Sequence, residues 1–189
     1  MGFGLLLIGY MFLASFSVAF GTDSKMTFDI FPDIIAWSMM LLGLNKLSPY
    51  SDKLRLARYA AIFMIPVSLY TMLDNFRLFG FFGSFGQIIN NIIGYVTVAV
   101  MLIYHYLLLF GIRDIALTCS GQKRFCDKLK FGFALTGVYY GVYLAVTIAG
   151  SFYPAVYGYG TPLVSLFGVA WIITNVLLIF EAFRKIILD

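Results

Sequence analysis

Three long stretches of this chain contain no Asp, Glu, Lys or Arg: residues 2–20, 78–112 and 131–180. An apolar run of about 18 residues or more without charge reads as a membrane-crossing helix. The last stretch has room for two helices and a turn. Pro154, Gly158, Gly160 and Pro162 supply the turn residues in its middle. Composition points the same way. Of 189 residues, 61% are hydrophobic and 12% charged, the latter about half the share usual in soluble domains. So short a chain cannot hide that much apolar surface in one core. The expectation is an all-α, polytopic membrane protein forming a single integral membrane domain over residues 1–189.

Six spans are expected, at about residues 2–20, 34–47, 57–75, 87–112, 131–152 and 162–180. The second is the shortest: it follows Pro32, places Asp33 in its first turn, and needs either Lys46 to reach the interface or outer residues from Phe28 onward to join it. Basic residues set the orientation. Lys46, Lys53, Arg55 and Arg58 separate spans two and three. Arg113, Lys123, Arg124, Lys128 and Lys130 separate spans four and five, and Arg184 and Lys185 follow span six. Eleven of the 13 basic residues thus share one side, leaving Lys25 and Arg77 opposite. The positive-inside rule makes the rich side cytoplasmic, which requires an even span count with both termini inside. The expected location is the bacterial plasma membrane. The net charge of +4 is explained by topology, so no nucleic-acid partner is expected.

Several connecting segments are informative. Residues 17–19 (Ser-Val-Ala) resemble a signal-peptide cleavage site, but no Lys or Arg precedes the first apolar run, so it reads as a retained helix. The inner ends of spans two, four and six share residue types, as do the starts of spans three and five. That pattern fits three related hairpins, but the common demands of every inner boundary account for it more simply. Residues 78–86 are rich in Gly and Phe. They suit an interfacial loop, or a re-entrant loop lining a cavity. The tyrosine-rich segment 151–161 is expected to pack at the outer interface.

Polar residues inside the apolar runs are the candidate site residues, because such groups usually face a bundle interior and find partners. His105, the only histidine, lies about 12 Å inside its helix, counting eight residues back from Arg113. Asn45, Thr174 and Asn175 are expected near that depth. The four could form an inner cluster that binds a solute or relays protons, or provide a single interhelical hydrogen bond. An outer cluster of Asp74, Asn75, Arg77, Asn90 and Asn91 is a second candidate. Its bland counterpart is capping and solvated charge, with Asp74 and Arg77 three residues apart. Glu181 and Arg184 share that spacing and read as a boundary ion pair. Gly137, Gly141, Ala145 and Ala149 form a small-residue stripe on which another helix could pack, from this chain or from a second copy. Cys119 and Cys126 read as free thiols in a cytoplasmic loop.

Neither a metal nor a cofactor is expected. One histidine excludes a bis-histidine haem and a multi-histidine metal site within the chain. The Gly-x-Ser-x-Gly, His-Glu-x-x-His and phosphate-loop motifs do not occur. Three function classes follow. The leading one is a non-enzymatic accessory, regulatory or interaction subunit, with a membrane protein or a second copy as partner besides the lipid bilayer. The second is a small-solute transporter or a membrane-embedded substrate-binding subunit. The third is a membrane enzyme acting on lipid.

Overall fold

A computed structural model describes residues 2–13, 17–20, 26–29, 33–75, 83–119 and 123–186. Among these the chain forms six α-helices and one two-stranded ribbon. In order they are α1 (Gly2–Phe12), β1 (Ser17–Phe20), β2 (Met26–Asp29), α2 (Asp33–Leu47), α3 (Asp52–Asn75), α4 (Gly83–Cys119), α5 (Lys123–Phe152) and α6 (Ala155–Lys185). Each helix packs on its neighbours in sequence, and α6 returns to α1, closing a ring. Four helical segments are long and apolar enough to cross a membrane: Asp52–Asp74, Ile88–Cys119, Lys123–Phe152 and Ala155–Lys185.

The first expected span is shorter than residues 2–20. Helix α1 stops at Phe12, and Ser17–Phe20 instead pairs antiparallel with Met26–Asp29, Ser17 opposite Asp29. The local sequence explains the change. Val18, Phe20, Thr27 and Phe28 favour strands, and Gly21, Thr22, Asp23 and Ser24 between them favour turns. At 1.5 Å per residue α1 is about 16 Å long and α2 about 22 Å, against a hydrocarbon core of about 30 Å.

Other helices exceed their expected bounds. The segment between spans four and five is largely a helical hairpin, not a loop: α4 runs on to Cys119 and α5 starts at Lys123. Helical periodicity persists there, with Ile112, Ile115 and Ala116 buried against Phe125, Cys126 and Leu129. Cys119 is exposed and Cys126 buried, neither in a disulfide, and no metal-binding cluster occurs among the described residues. The turn expected over residues 154–162 contracts to Tyr153 and Pro154, and Pro162 lies inside α6. Glycines here serve close approach. A Cβ on Gly160 would sit 2.6 Å from Val146, and one on Gly150 would sit 2.6 Å from the Tyr157 ring. Of the segment 78–86, residues 83–86 belong to the first turns of α4, and the rest lies outside the described residues.

The described basic residues gather at one end of the ring. Lys53 of α3 pairs with Asp114 of α4, and Lys128 of α5 pairs with Glu181 of α6. The start of α1 lies at that end too: Gly2 packs on Leu47, and Gly4 faces Phe183.

Candidate functional site

The centre of the ring is aromatic, and His105 lies at its heart. Its side chain is 0% exposed. The rings of Tyr10 (α1), Tyr104 (α4), Tyr140 (α5) and Trp171 (α6) surround it at centroid distances of 5.7, 5.4, 6.3 and 5.2 Å. Nδ1 donates to the Met101 carbonyl one turn earlier, 2.6 Å away. A carbonyl only accepts, so Nδ1 carries the proton. Nε2 then accepts from the Tyr10 hydroxyl, which fixes a neutral tautomer with both ring nitrogens satisfied.

The cage is braced by further polar contacts. Trp171 Nε1 donates to Thr136 Oγ1 at 3.1 Å, and Thr136 donates to the Gly132 carbonyl at 2.9 Å. Tyr139 stacks on Trp171 at 4.9 Å, and Trp37 of α2 meets Tyr104 edge-on at 5.1 Å. The Tyr104 hydroxyl reaches Met40 Sδ at 3.3 Å. Four of the six helices therefore meet around one imidazole, and α2 joins them through Tyr104.

The four residues of the expected inner cluster do not come together. Only Asn175 joins His105 in the interior: it is 0% exposed and donates from Nδ2 to the Trp171 carbonyl at 2.9 Å. Its Oδ1 is buried with no hydrogen-bond partner among the described residues. Asn45 is exposed and accepts from Arg58 at 3.3 Å. Thr174 is partly buried on the outer side of α6, facing a groove beside α5. The cause is helical geometry: adjacent residues point about 100° apart, so Thr174 and Asn175 cannot both face the centre.

At the opposite end, part of the expected outer cluster assembles. Asn90 donates to Asp74 Oδ2 at 2.9 Å and accepts from the Tyr70 hydroxyl at 2.5 Å. Asn91 is exposed. Arg77 and the side chain of Asn75 lie outside the described residues. Asp74 and Asn90 line a groove of about 430 Å³ together with Thr71, Tyr139 and Tyr143. Its inner end is formed by Met101 and Tyr140, both of which touch the histidine cage.

Two further expectations are corrected. Glu181 pairs with Lys185 at 2.6 Å and with Lys128 at 2.9 Å, not with Arg184. Lys185, one turn on, takes Oε1 and Lys128 from α5 takes Oε2, while Arg184 lies over the Phe180 ring. Among the described residues, no other helix packs on Gly137 or Gly141 of the stripe Gly137, Gly141, Ala145 and Ala149, so the expected packing within the chain is not found at those two glycines. A Cβ on Gly137 or Gly141 would meet nothing within 4 Å, and Ala145 is exposed. The buried face of α5 instead runs through Leu129, Gly132, Thr136 and Tyr140. The stripe lies one residue, about 100°, around from it.

Tyr10, Thr136, Tyr140 and Trp171 were not among the sequence candidates. Each is an unremarkable residue within an apolar run. A usable signal was the i, i+4 spacing of hydroxyl or amide residues with large rings, Thr136 with Tyr140 and Trp171 with Asn175. No protein-family model, no curated protein and no solved structure matches the chain.

Proposed function

We propose that this is a six-span protein of the bacterial plasma membrane, with both termini cytoplasmic, that works by interaction as a non-enzymatic accessory or regulatory subunit. The observation that carries this reading is the sealed histidine. Both imidazole nitrogens are engaged within the chain and the side chain is fully buried. The only interior imidazole therefore offers a substrate no free base, nucleophile or metal ligand. The same enclosure removes the support that His105 lent to a transport path.

The topology rests on charge. The basic end of the ring meets the positive-inside rule only as the cytoplasmic face. Packing of Gly2 on Leu47 supports an N-terminus at that end. Because α1 and α2 are short, the β1–β2 ribbon belongs at the far headgroup level, where its edge groups meet water and the bilayer can thin locally. A reporter fused after Asp189 is expected to be cytoplasmic, and one inserted beside Lys25 external. The reverse result overturns the orientation.

The functional test is purification in mild detergent from cells expressing the chain at native level, followed by mass spectrometry of everything retained. A stoichiometric protein partner is the expected result. A lone stable chain overturns the subunit reading. A retained small molecule favours a second reading, a membrane-embedded solute-binding subunit, which the groove at Asp74 and Asn90 supports. In that case Asp74→Asn should abolish retention.

A further inference from the structure

A second groove lies at the basic end, outside the ring, between α5 and α6. Its volume is about 600 Å³. It runs along α6 from Thr174 to Lys185, a length of about 16 Å at the helical rise. The two ends of this groove differ in chemistry. Towards the middle of the helices the walls are apolar: Phe131, Leu177 and Phe180 are 65%, 59% and 42% exposed. Towards the helix ends the walls carry Lys128, Arg184 and Lys185, with Glu181 as the one carboxylate.

Charge bookkeeping at this end leaves a surplus. Three cations against one anion give a net charge of +2 around the rim. Glu181 is shared by Lys128 and Lys185. Arg184 has no carboxylate partner among the described residues, and its guanidinium lies 5.8 Å from the Phe180 ring centre. A planar, weakly hydrated guanidinium held over an aromatic ring is suited to receive a phosphate.

Position and polarity together select the occupant. A hydrated inorganic anion would gain from the cations but nothing from the three exposed apolar side chains. An uncharged acyl chain would use only the apolar wall. A molecule with an anionic head and a hydrocarbon tail matches both ends in the order in which they occur.

We propose that the α5–α6 groove binds an anionic phospholipid, its phosphate held by Lys128, Arg184 and Lys185 and an acyl chain lying along Phe131, Leu177 and Phe180. The site is separate from the histidine cage and independent of the subunit reading. Lys128 and Glu181 also join α5 to α6, so a lipid bridging Lys128 and Arg184 would brace the same pair of helices from outside.

The test uses the full chain purified in neutral detergent, with native mass spectrometry after titration of phosphatidylglycerol or phosphatidylcholine. The wild type should retain the anionic lipid preferentially. Each basic residue at such a site contributes about fivefold, so Lys128→Gln with Arg184→Gln should cut the preference about twenty-fivefold and Arg184→Gln alone about fivefold. Lys46→Gln, an exposed lysine at the end of α2, should change nothing. Melting in phosphatidylcholine confirms folding, and if the double variant fails to fold, the exposed Arg184→Gln decides. Equal binding of both lipids, an undiminished preference in Arg184→Gln or an equal loss in Lys46→Gln overturns the proposal. So does displacement of the lipid by inorganic phosphate at matching concentration, which would mark a simple anion site.

Discussion

The helical pairs at the two ends of the chain are assembled by opposite means. In the pair α1 and α2, backbones touch. A Cβ on Gly43 would lie 2.8 Å from the Gly2 carbonyl oxygen and 3.0 Å from the Leu6 nitrogen, and one on Gly9 would lie 2.8 Å from the Ala36 oxygen. Gly2, Leu6 and Gly9 form one face of α1, and Ala36, Met40, Gly43 and Leu47 form the matching face of α2. In the pair α5 and α6, side chains do the joining: Trp171 on Thr136 and Tyr139, Leu178 in the hollow over Gly132, and Lys128 on Glu181. The difference shows that glycine content does not reveal which helices pack closely. What matters is whether the glycine faces a neighbour.

The largest expected effect tests the backbone contact. Gly43→Val places two methyl groups where main-chain atoms of α1 already sit, and main chain cannot move aside as a flexible side chain can. Overpacking of this kind is expected to destabilise the protein by about 3 kcal/mol. The measurement is thermal unfolding of the purified chain in detergent. A melting temperature within a degree or two of wild type would mean that α1 is not held by this contact, and the contrast between the pairs would fail.

A smaller effect is expected where the two pairs meet. Tyr10 belongs to α1, Trp171 to α6, and His105 stands between them. Tyr10→Phe keeps the ring and removes only the hydroxyl that donates to Nε2. A buried acceptor left without its donor costs about 1–3 kcal/mol. His105→Phe with Tyr10→Phe removes both polar partners, so the double variant should lose less than the sum of the single ones. Strict additivity in unfolding measurements would show that the hydrogen bond does not couple the two pairs.

How much of this was legible in the sequence depended on scale. Charge-free runs revealed the long helices, because lipid tolerates little else across its thickness. The end of α1 at Phe12 was hidden, since Val18, Ala19 and Phe20 are as apolar as any helix and only strand pairing separates them. His105 and Asn175 stood out as polar residues in an apolar context, and both are fully buried. Asn45 and Thr174 stood out equally, yet they face outward. Depth along a helix follows from counting residues, but the direction a residue faces depends on which neighbours the helix meets, and that is a tertiary property. The close packing at Gly2, Gly9 and Gly43 was hidden for the same reason, while Gly137 and Gly141, in a more regular stripe, meet no described atom of this chain.

The smallest expected effect completes the comparison from the other side. Gly137→Ala and Gly141→Ala each add a methyl group where nothing lies within 4 Å. With no clash to offset it, the only change within the chain is the better helix propensity of alanine, a gain of up to about 1 kcal/mol per site in water. Both variants should therefore melt at or slightly above the wild-type temperature in detergent, the opposite sign to Gly43→Val. A clear loss of stability at either site would show that the stripe is in contact after all. Because no described atom of this chain lies near Gly137 or Gly141, the contact expected in that case is with another molecule, and the loss should then grow weaker on dilution of the protein in detergent.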